Sequence, residues 1–427
     1  MQDYSGQQVS SARPTRFIAG LVMFLTFFGW GVFFVPMGSY LATIYPKDET
    51  IIGAAYSMGP LAAMISALLA GWLADRSFSP RLLLAVLSAL GGLLLVYAPH
   101  AGGPSAFQGV LFAHSLCFFA ALPLLNSVVL ASLDDPGRQF GAIRLWGTIG
   151  WIVSGVLIGT VLAKYYDPAV ATQPIIFYLG GAALVLVAGC CLLLADPVKK
   201  EAGPAVSGGL WKLLGDGKFL LFLVFSVLFC IPLALYYSYA NTFLKSSGIG
   251  QTETFMTAGQ VSEVVFLALL PLLAARFSAK TILLFGMACW ALRYWLFAEF
   301  PSSGLALFTA IAIHGACYDF FFVTGTLYAD RKAPEGLRNT AQSVLTWATL
   351  GLGLFIGNRI APLLGLGLFI GNRIAPLLHE RFITVVDGKT VVAKEFWLYP
   401  SAFALVLLVV FALVFHDDTR LSDKAND

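Results

Sequence analysis

Long apolar runs, each interrupted by a short cluster of Gly, Pro, Asp, Lys or Arg, recur along the whole chain. A helix needs about 20 apolar residues to cross the hydrocarbon of a bilayer. On that criterion the runs predict spans at 17–41, 51–74, 81–98, 106–131, 138–164, 173–195, 218–244, 253–276, 280–299, 303–329, 338–364 and 396–416. Each is predicted to be an α-helix, because an open strand in lipid leaves backbone groups unsatisfied. The expected fold class is an all-α integral membrane protein with twelve transmembrane helices.

Most connections are short. The segment DPVKKEAGPAVSGGLWKLLGDGK between spans 6 and 7 is longer and rich in Gly, Pro and Lys, the composition of a linker. It predicts an N-terminal six-helix bundle (1–195), a linker (196–217) and a C-terminal six-helix bundle (218–427). Composition agrees with membrane residence. The 427 residues are 58% hydrophobic and only 11% charged, with a mean hydropathy of +0.81, whereas a soluble domain carries about 25% charged residues. A net charge of +3 gives no reason to expect nucleic acid as a partner.

Lys and Arg placement predicts the orientation. With both termini cytoplasmic, the inner segments hold Arg13, Arg16, Arg76, Arg81, Arg138, Lys199, Lys200, Lys212, Lys218, Arg276, Lys280, Arg331, Lys332, Arg338, Arg420 and Lys424. The outer loops hold Lys47, Lys164, Lys245, Arg381, Lys389 and Lys394. That asymmetry predicts that both ends are cytoplasmic, and it agrees with an even number of spans. The polar N-terminus runs into span 1 without an A-x-A site, so the first span is expected to be retained. All six cysteines fall in apolar runs without metal-ligand spacing and are expected to pack as small hydrophobes.

The turn after span 2 reads Gly71-x-x-x-Asp75-Arg76, followed by Arg81. Gly71 permits close helix approach, and Asp75 can cap or pair at a helix end. This resembles the cytoplasmic loop motif of the major facilitator superfamily. The resemblance implies that Gly71, Asp75 and Arg76 act as a conformational latch. The corresponding turn between spans 8 and 9, RFSAK, is a reduced version.

A charge inside a span costs about 2.5–3.5 kcal/mol at its centre on insertion scales, so each is a functional candidate. Glu263 lies well inside span 8, where a carboxylate must be protonated or paired, with Gln260 one turn earlier on the same face. Asp319 lies in mid-span 10 among aromatics, preceded by Tyr318 and His314. Behind Asp134-Asp135-Pro136, a good helix start, Arg144 falls about 12 Å into span 5. Thr148 and Trp151 follow it at i+4 and i+7. Arg293, near the outer end of span 9, is expected to be structural, packed among aromatics or paired with a carboxylate. Aromatic runs such as GWGVFFVPMGSY and ALYYSYANTF offer stacking walls for a planar ligand.

AIRLWGTIGW, YANTFL, GQVSEVVF, CWALRYWLFA and HGACYDFFFVTGT, in this order and in these spans, resemble the nucleoside:proton symporters of the major facilitator superfamily. The likeness runs from span 1 to span 11. It implies a central cavity between two bundles, alternating access, and a nucleoside bound by Arg144, Thr148, Trp151, Gln260, Glu263, His314, Tyr318 and Asp319. Glu263 or Asp319 would carry the proton. No cofactor beyond that coupling ion, no catalysis and a monomer are expected. The departures are Ala234 and Tyr237, where the family offers amides in span 7, and His314, where it offers an aromatic. They leave the nucleoside open, with a sugar or peptide fragment as the alternative solute and a non-transporting sensor as a further one.

GLGLFIGNRIAPLL occurs twice in succession, at 351–364 and 365–378. Fourteen residues are close to four helical turns and add about 21 Å of helix. The duplication is assigned no function.

Overall fold

The computed structural model describes residues 12–45, 51–76, 78–194, 209–249, 252–357, 383–386, 389–416 and 420–421. The second copy of the tandem repeat, the second half of the first, and most of the linker lie outside those residues. The chain packs as two units, Met1–Leu210 with Ala333–Thr346, and Trp211–Lys332 with Trp347–Asp427.

The first unit contains α1 (Ala12–Phe34), α2 (Ile51–Arg76), α3 (Pro80–Tyr97), α4 (Pro104–Ala131), α5 (Pro136–Val156) and α6 (Ile175–Cys191). The second contains α7 (Gly217–Ser246), α8 (Thr252–Ala274), α9 (Ala279–Glu299), α10 (Gly304–Lys332) and α12 (Leu398–Val414). The eleventh helix, α11 (Arg338–Gly357), has its first nine residues, Arg338–Thr346, grouped with the first unit. Among the described residues, eleven helices are long and apolar enough to cross a membrane. The remaining one, α6, has 17 residues, about 25 Å of helix. All twelve sequence-predicted spans therefore have a helix, which is the architecture of a polytopic membrane protein.

Helix starts follow from local chemistry. Ser79 accepts the Leu82 N–H ahead of Pro80, Asp135 accepts the Arg138 N–H ahead of Pro136, and Ser278 accepts the Thr281 N–H. Each side chain satisfies a donor that the helix itself leaves orphaned. Both units also tie a helix end with a cation. Arg81 donates to the Leu194 carbonyl at 2.6 Å, just beyond α6, and Lys280 donates to the Ala412 carbonyl at 3.0 Å in the last turn of α12.

One expectation is corrected. Span 1 is not one helix over 17–41: α1 stops at Phe34 and a separate helix, Met37–Ile44, follows. Pro36 sits at the break, where its ring and missing N–H oppose helix continuation. Tyr56 of α2 satisfies the freed backbone, donating to the Phe34 carbonyl at 2.8 Å and accepting from the Gly38 N–H at 3.1 Å. The spans are all helical, and the sheet seen among the described residues lies in a connection. Between α11 and α12, β1 (Ile383–Val386) pairs antiparallel with β2 (Lys389–Val392), from Ile383 opposite Val392 to Val386 opposite Lys389. β-Branched residues around Asp387-Gly388 carry the hairpin signal.

Glycines permit a close crossing of α1 and α5 in the first unit. A Cβ on Gly150 of α5 would stand 2.3 Å from the Phe24 carbonyl oxygen of α1, and one on Gly31 would stand 2.4 Å from Ser154 Oγ. Gly150→Val should separate α1 from α5, a strain of about 1–3 kcal/mol. The expected result is a thermal midpoint in detergent lowered by roughly 3 °C or more. Gly155→Val, on the same helix with open space around it, should leave the midpoint unchanged. Equal midpoints for the two variants would refute the crossing argument.

Candidate functional site

In the second unit, α10 is interrupted at Ile313 and resumes at His314. The Gly315 N–H there donates to Ser262 Oγ of α8 at 2.9 Å. Glycine permits this approach: a Cβ on Gly315 would lie 2.6 Å from the Glu263 backbone nitrogen. One on Gly259 would lie 3.1 Å from His314 Cβ. The two helices meet tightly enough for His314 Nε2 to reach Glu263 Oε1 at 3.2 Å, with both side chains largely shielded from solvent. Glu263 is thus paired across helices with His314.

Aromatic rings enclose the pair. The His314 imidazole stacks on Tyr318 at 5.8 Å and on Tyr236 of α7 at 5.8 Å, and Tyr318 meets Phe322 at 4.8 Å. Asp319, 1% exposed, opens a π-helical turn, Asp319–Val323. The wider turn re-registers the helix after Tyr318, a feature that often marks functional sites. Ala234 is fully buried and Tyr237 is half exposed on α7.

In the first unit, the Arg144 guanidinium lies over the Phe27 ring of α1, 4.1 Å from its centroid. A Cβ on Gly147 would stand 2.7 Å from Arg144 Nη1 and 2.8 Å from the Phe27 ring, so that glycine leaves room for the stack. Thr148 is buried. Trp151 packs edge-on to Trp30 at 5.4 Å, and Trp30 also meets Phe34 and Phe118. The predicted stripe of cation, hydroxyl and aromatic is therefore joined by an aromatic wall from α1. Phe27 and Trp30 were not singled out in the sequence, although GWGVFFVPMGSY marked the region.

Gly71 and Asp75 meet the start of α11. Asp75 Oδ1 accepts from the Asn339 backbone N–H at 3.2 Å and from Asn339 Nδ2 at 2.7 Å, and Oδ2 accepts from the Thr340 N–H at 2.7 Å. The carboxylate caps a helix N-terminus from another helix, its negative charge set against the positive end of the helix dipole. A Cβ on Gly71 would stand 2.2 Å from Ser343 Oγ. Arg76 lies over Trp72 of its own helix, 4.8 Å from the ring centroid.

Arg144 Nη1, Gln260 Oε1 and His314 Nδ1 are buried polar atoms with no hydrogen-bond partner among the described residues. Such atoms are costly where water is scarce. Their donor and acceptor capacity suits a polar ligand with hydroxyl, carbonyl or imino groups.

Comparison with known proteins agrees with this architecture. Residues 15–420 match the family profile described as Nucleoside H+ symporter. The putative nucleoside transporter YegT of Escherichia coli (strain K12) is 33% identical over 93% of this chain and 92% of its own length. Among solved structures, the nucleoside transporter NupG superposes with a TM-score of 0.63 at 23% identity, over 94% of this chain and 99% of that one. The major facilitator proton:xylose symporter XylE gives 0.68 at 13% identity, over 96% and 98%. The fold is that of the major facilitator superfamily, and the chain belongs to its nucleoside H+ symporter family.

Proposed function

We propose that this chain imports nucleosides together with protons by alternating access, and that Glu263, paired with His314, carries the coupling proton. The observation that supports it is the Glu263–His314 pair, 3.2 Å apart within apolar helices. A shielded imidazole and carboxylate can hold or release a proton with little movement of either group. The nucleoside is bound by Arg144, Thr148 and Trp151 of the first unit and by Gln260, Glu263, His314, Tyr318 and Asp319 of the second. The rings of Trp151 and Tyr318 offer stacking surface for the base. Arg144 Nη1, Gln260 Oε1 and His314 Nδ1 supply hydrogen bonds to its polar edge or to ribose.

Two six-helix bundles (1–195 and 218–427) joined by a cytoplasmic linker (196–217) complete the reading. Both termini are cytoplasmic, the chain resides in the inner membrane, and the monomer is the working unit. Asp75, through its hydrogen bonds to Asn339 and Thr340, holds one of the two alternating states, with Gly71 and Arg76 at the same turn.

Uptake of labelled nucleosides into proteoliposomes, with and without an imposed proton gradient, tests the function. Accumulation should require the gradient. Glu263→Gln should abolish gradient-driven accumulation, and retention of full pH-dependent uptake in that variant would remove Glu263 as the coupling residue. Competition by a panel of nucleosides and sugars separates the nucleoside from the sugar alternative.

Asp75→Ala removes hydrogen bonds to a charged acceptor, each worth about 1.5–3 kcal/mol. It should shift the balance between states by roughly tenfold or more and cut the uptake rate comparably at normal membrane levels. Wild-type uptake by Asp75→Ala would exclude the latch.

A further inference from the structure

Arg293 of α9 is fully buried, with 0% exposure. Its Nε donates to the Ala310 carbonyl of α10 at 2.9 Å, while Nη1 and Nη2 have no hydrogen-bond partner among the described residues. The guanidinium lies over two rings, 4.6 Å from the centroid of Tyr236 and 5.3 Å from that of Trp290. Tyr236 in turn stacks on His314, the partner of Glu263. A permanent cation thus sits one ring away from the pair proposed to carry the proton. Packing alone is a poor account of it, since a charge at this depth is expensive and an apolar side chain would fill the same space.

We propose that Arg293 is the positioning residue of the proton-carrying pair, its fixed charge balancing the ionised form of Glu263. The inference rests on the assignment of Glu263 and His314 as that pair. The groups facing Arg293 are Tyr236 and Tyr237 of α7, Tyr294 and Cys289 of α9, and His314 and Cys317 of α10. Glu263 of α8 faces Tyr236, Tyr237 and His314. Two carboxylates border this cluster: Glu263, paired with His314, and Asp319 of α10, which faces Cys317.

Charge counting gives the consequence. Counted over Arg293, Glu263 and His314, the trio is neutral when Glu263 is ionised and His314 uncharged, so an arriving proton makes it positive and can leave again. Without Arg293, neutrality requires one proton to stay on the pair throughout the cycle. Such a carrier can exchange nucleoside for nucleoside but cannot release a proton on each turn. Tyr236 holds the cation in place through its ring face and holds the imidazole by stacking on its other neighbour.

The test compares Arg293→Gln and Arg293→Lys in proteoliposomes, at membrane levels equal to those of the parent protein. Two assays are read: accumulation driven by a proton gradient, and counterflow of labelled nucleoside at equal pH on both sides. Arg293→Gln should lose accumulation at least tenfold and keep counterflow within about threefold. Arg293→Lys, which keeps the charge, should recover part of the accumulation. The inference is overturned if Arg293→Gln accumulates nucleoside with the parent pH profile, if it loses both assays in step, or if Arg293→Lys recovers nothing. Full gradient-driven accumulation by Glu263→Gln would instead remove the assignment of the pair itself.

Discussion

A polar group within a bilayer must find its partner inside the protein, because the lipid offers none. That constraint accounts for the main departures from smooth helical geometry seen here. The break in span 1 is closed by the Tyr56 hydroxyl, which serves both the Phe34 carbonyl and the Gly38 N–H. The break at Ile313 is closed by Ser262, which takes the Gly315 N–H. In each case one side chain on a neighbouring helix satisfies what the broken backbone releases. The break at Ile313 also sets His314 beside Glu263.

The approach at Gly315 shows how sequence becomes site. Glu263 and His314 are 51 positions apart, and neither residue type says which partner it will meet. Small residues on both helices decide it. Gly259 and Gly315 remove the Cβ atoms that would hold α8 and α10 apart, and Ser262 is short enough to bond the backbone across the gap. The carboxylate and the imidazole then meet at 3.2 Å. The same logic appears in the first unit, where Gly147 leaves space for Arg144 against Phe27 and Gly150 lets α5 touch the backbone of α1.

How much could be read from the chain follows from this difference. Hydrophobic runs fix which segments enter the bilayer, so each of the twelve spans was legible, and the insertion cost of a charge made Arg144, Glu263 and Asp319 stand out singly. What the sequence could not supply was pairing between helices. Gln260 shares a face with Glu263 by spacing, yet the partner seen is His314. Proline at 36 was visible in the sequence, but a 25-residue apolar run concealed that it ends the helix. The hairpin of β1 and β2 was hidden for another reason: it lies in a polar connection, where hydropathy carries no signal and only β-branched residues flanking Asp-Gly mark the turn.

Arg293 illustrates the remaining step from structure to role. Near the outer end of a span, among Trp and Tyr, it reads as a packing residue, and the structure does place it over Tyr236 and Trp290. Two rings can cradle a guanidinium, but they cannot neutralise it. A ring face stabilises a cation by about 0.5–2 kcal/mol, less than the cost of holding an uncompensated charge in hydrocarbon. The balance has to come from an anion within the low-dielectric interior, where electrostatic reach is long. Glu263 lies on the far side of Tyr236 and His314, within that reach. A carboxylate that must balance a fixed cation, and must also exchange a proton, couples charge compensation to transport. The arginine and the glutamate therefore belong to one electrostatic unit, although they arise on different helices, α9 and α8.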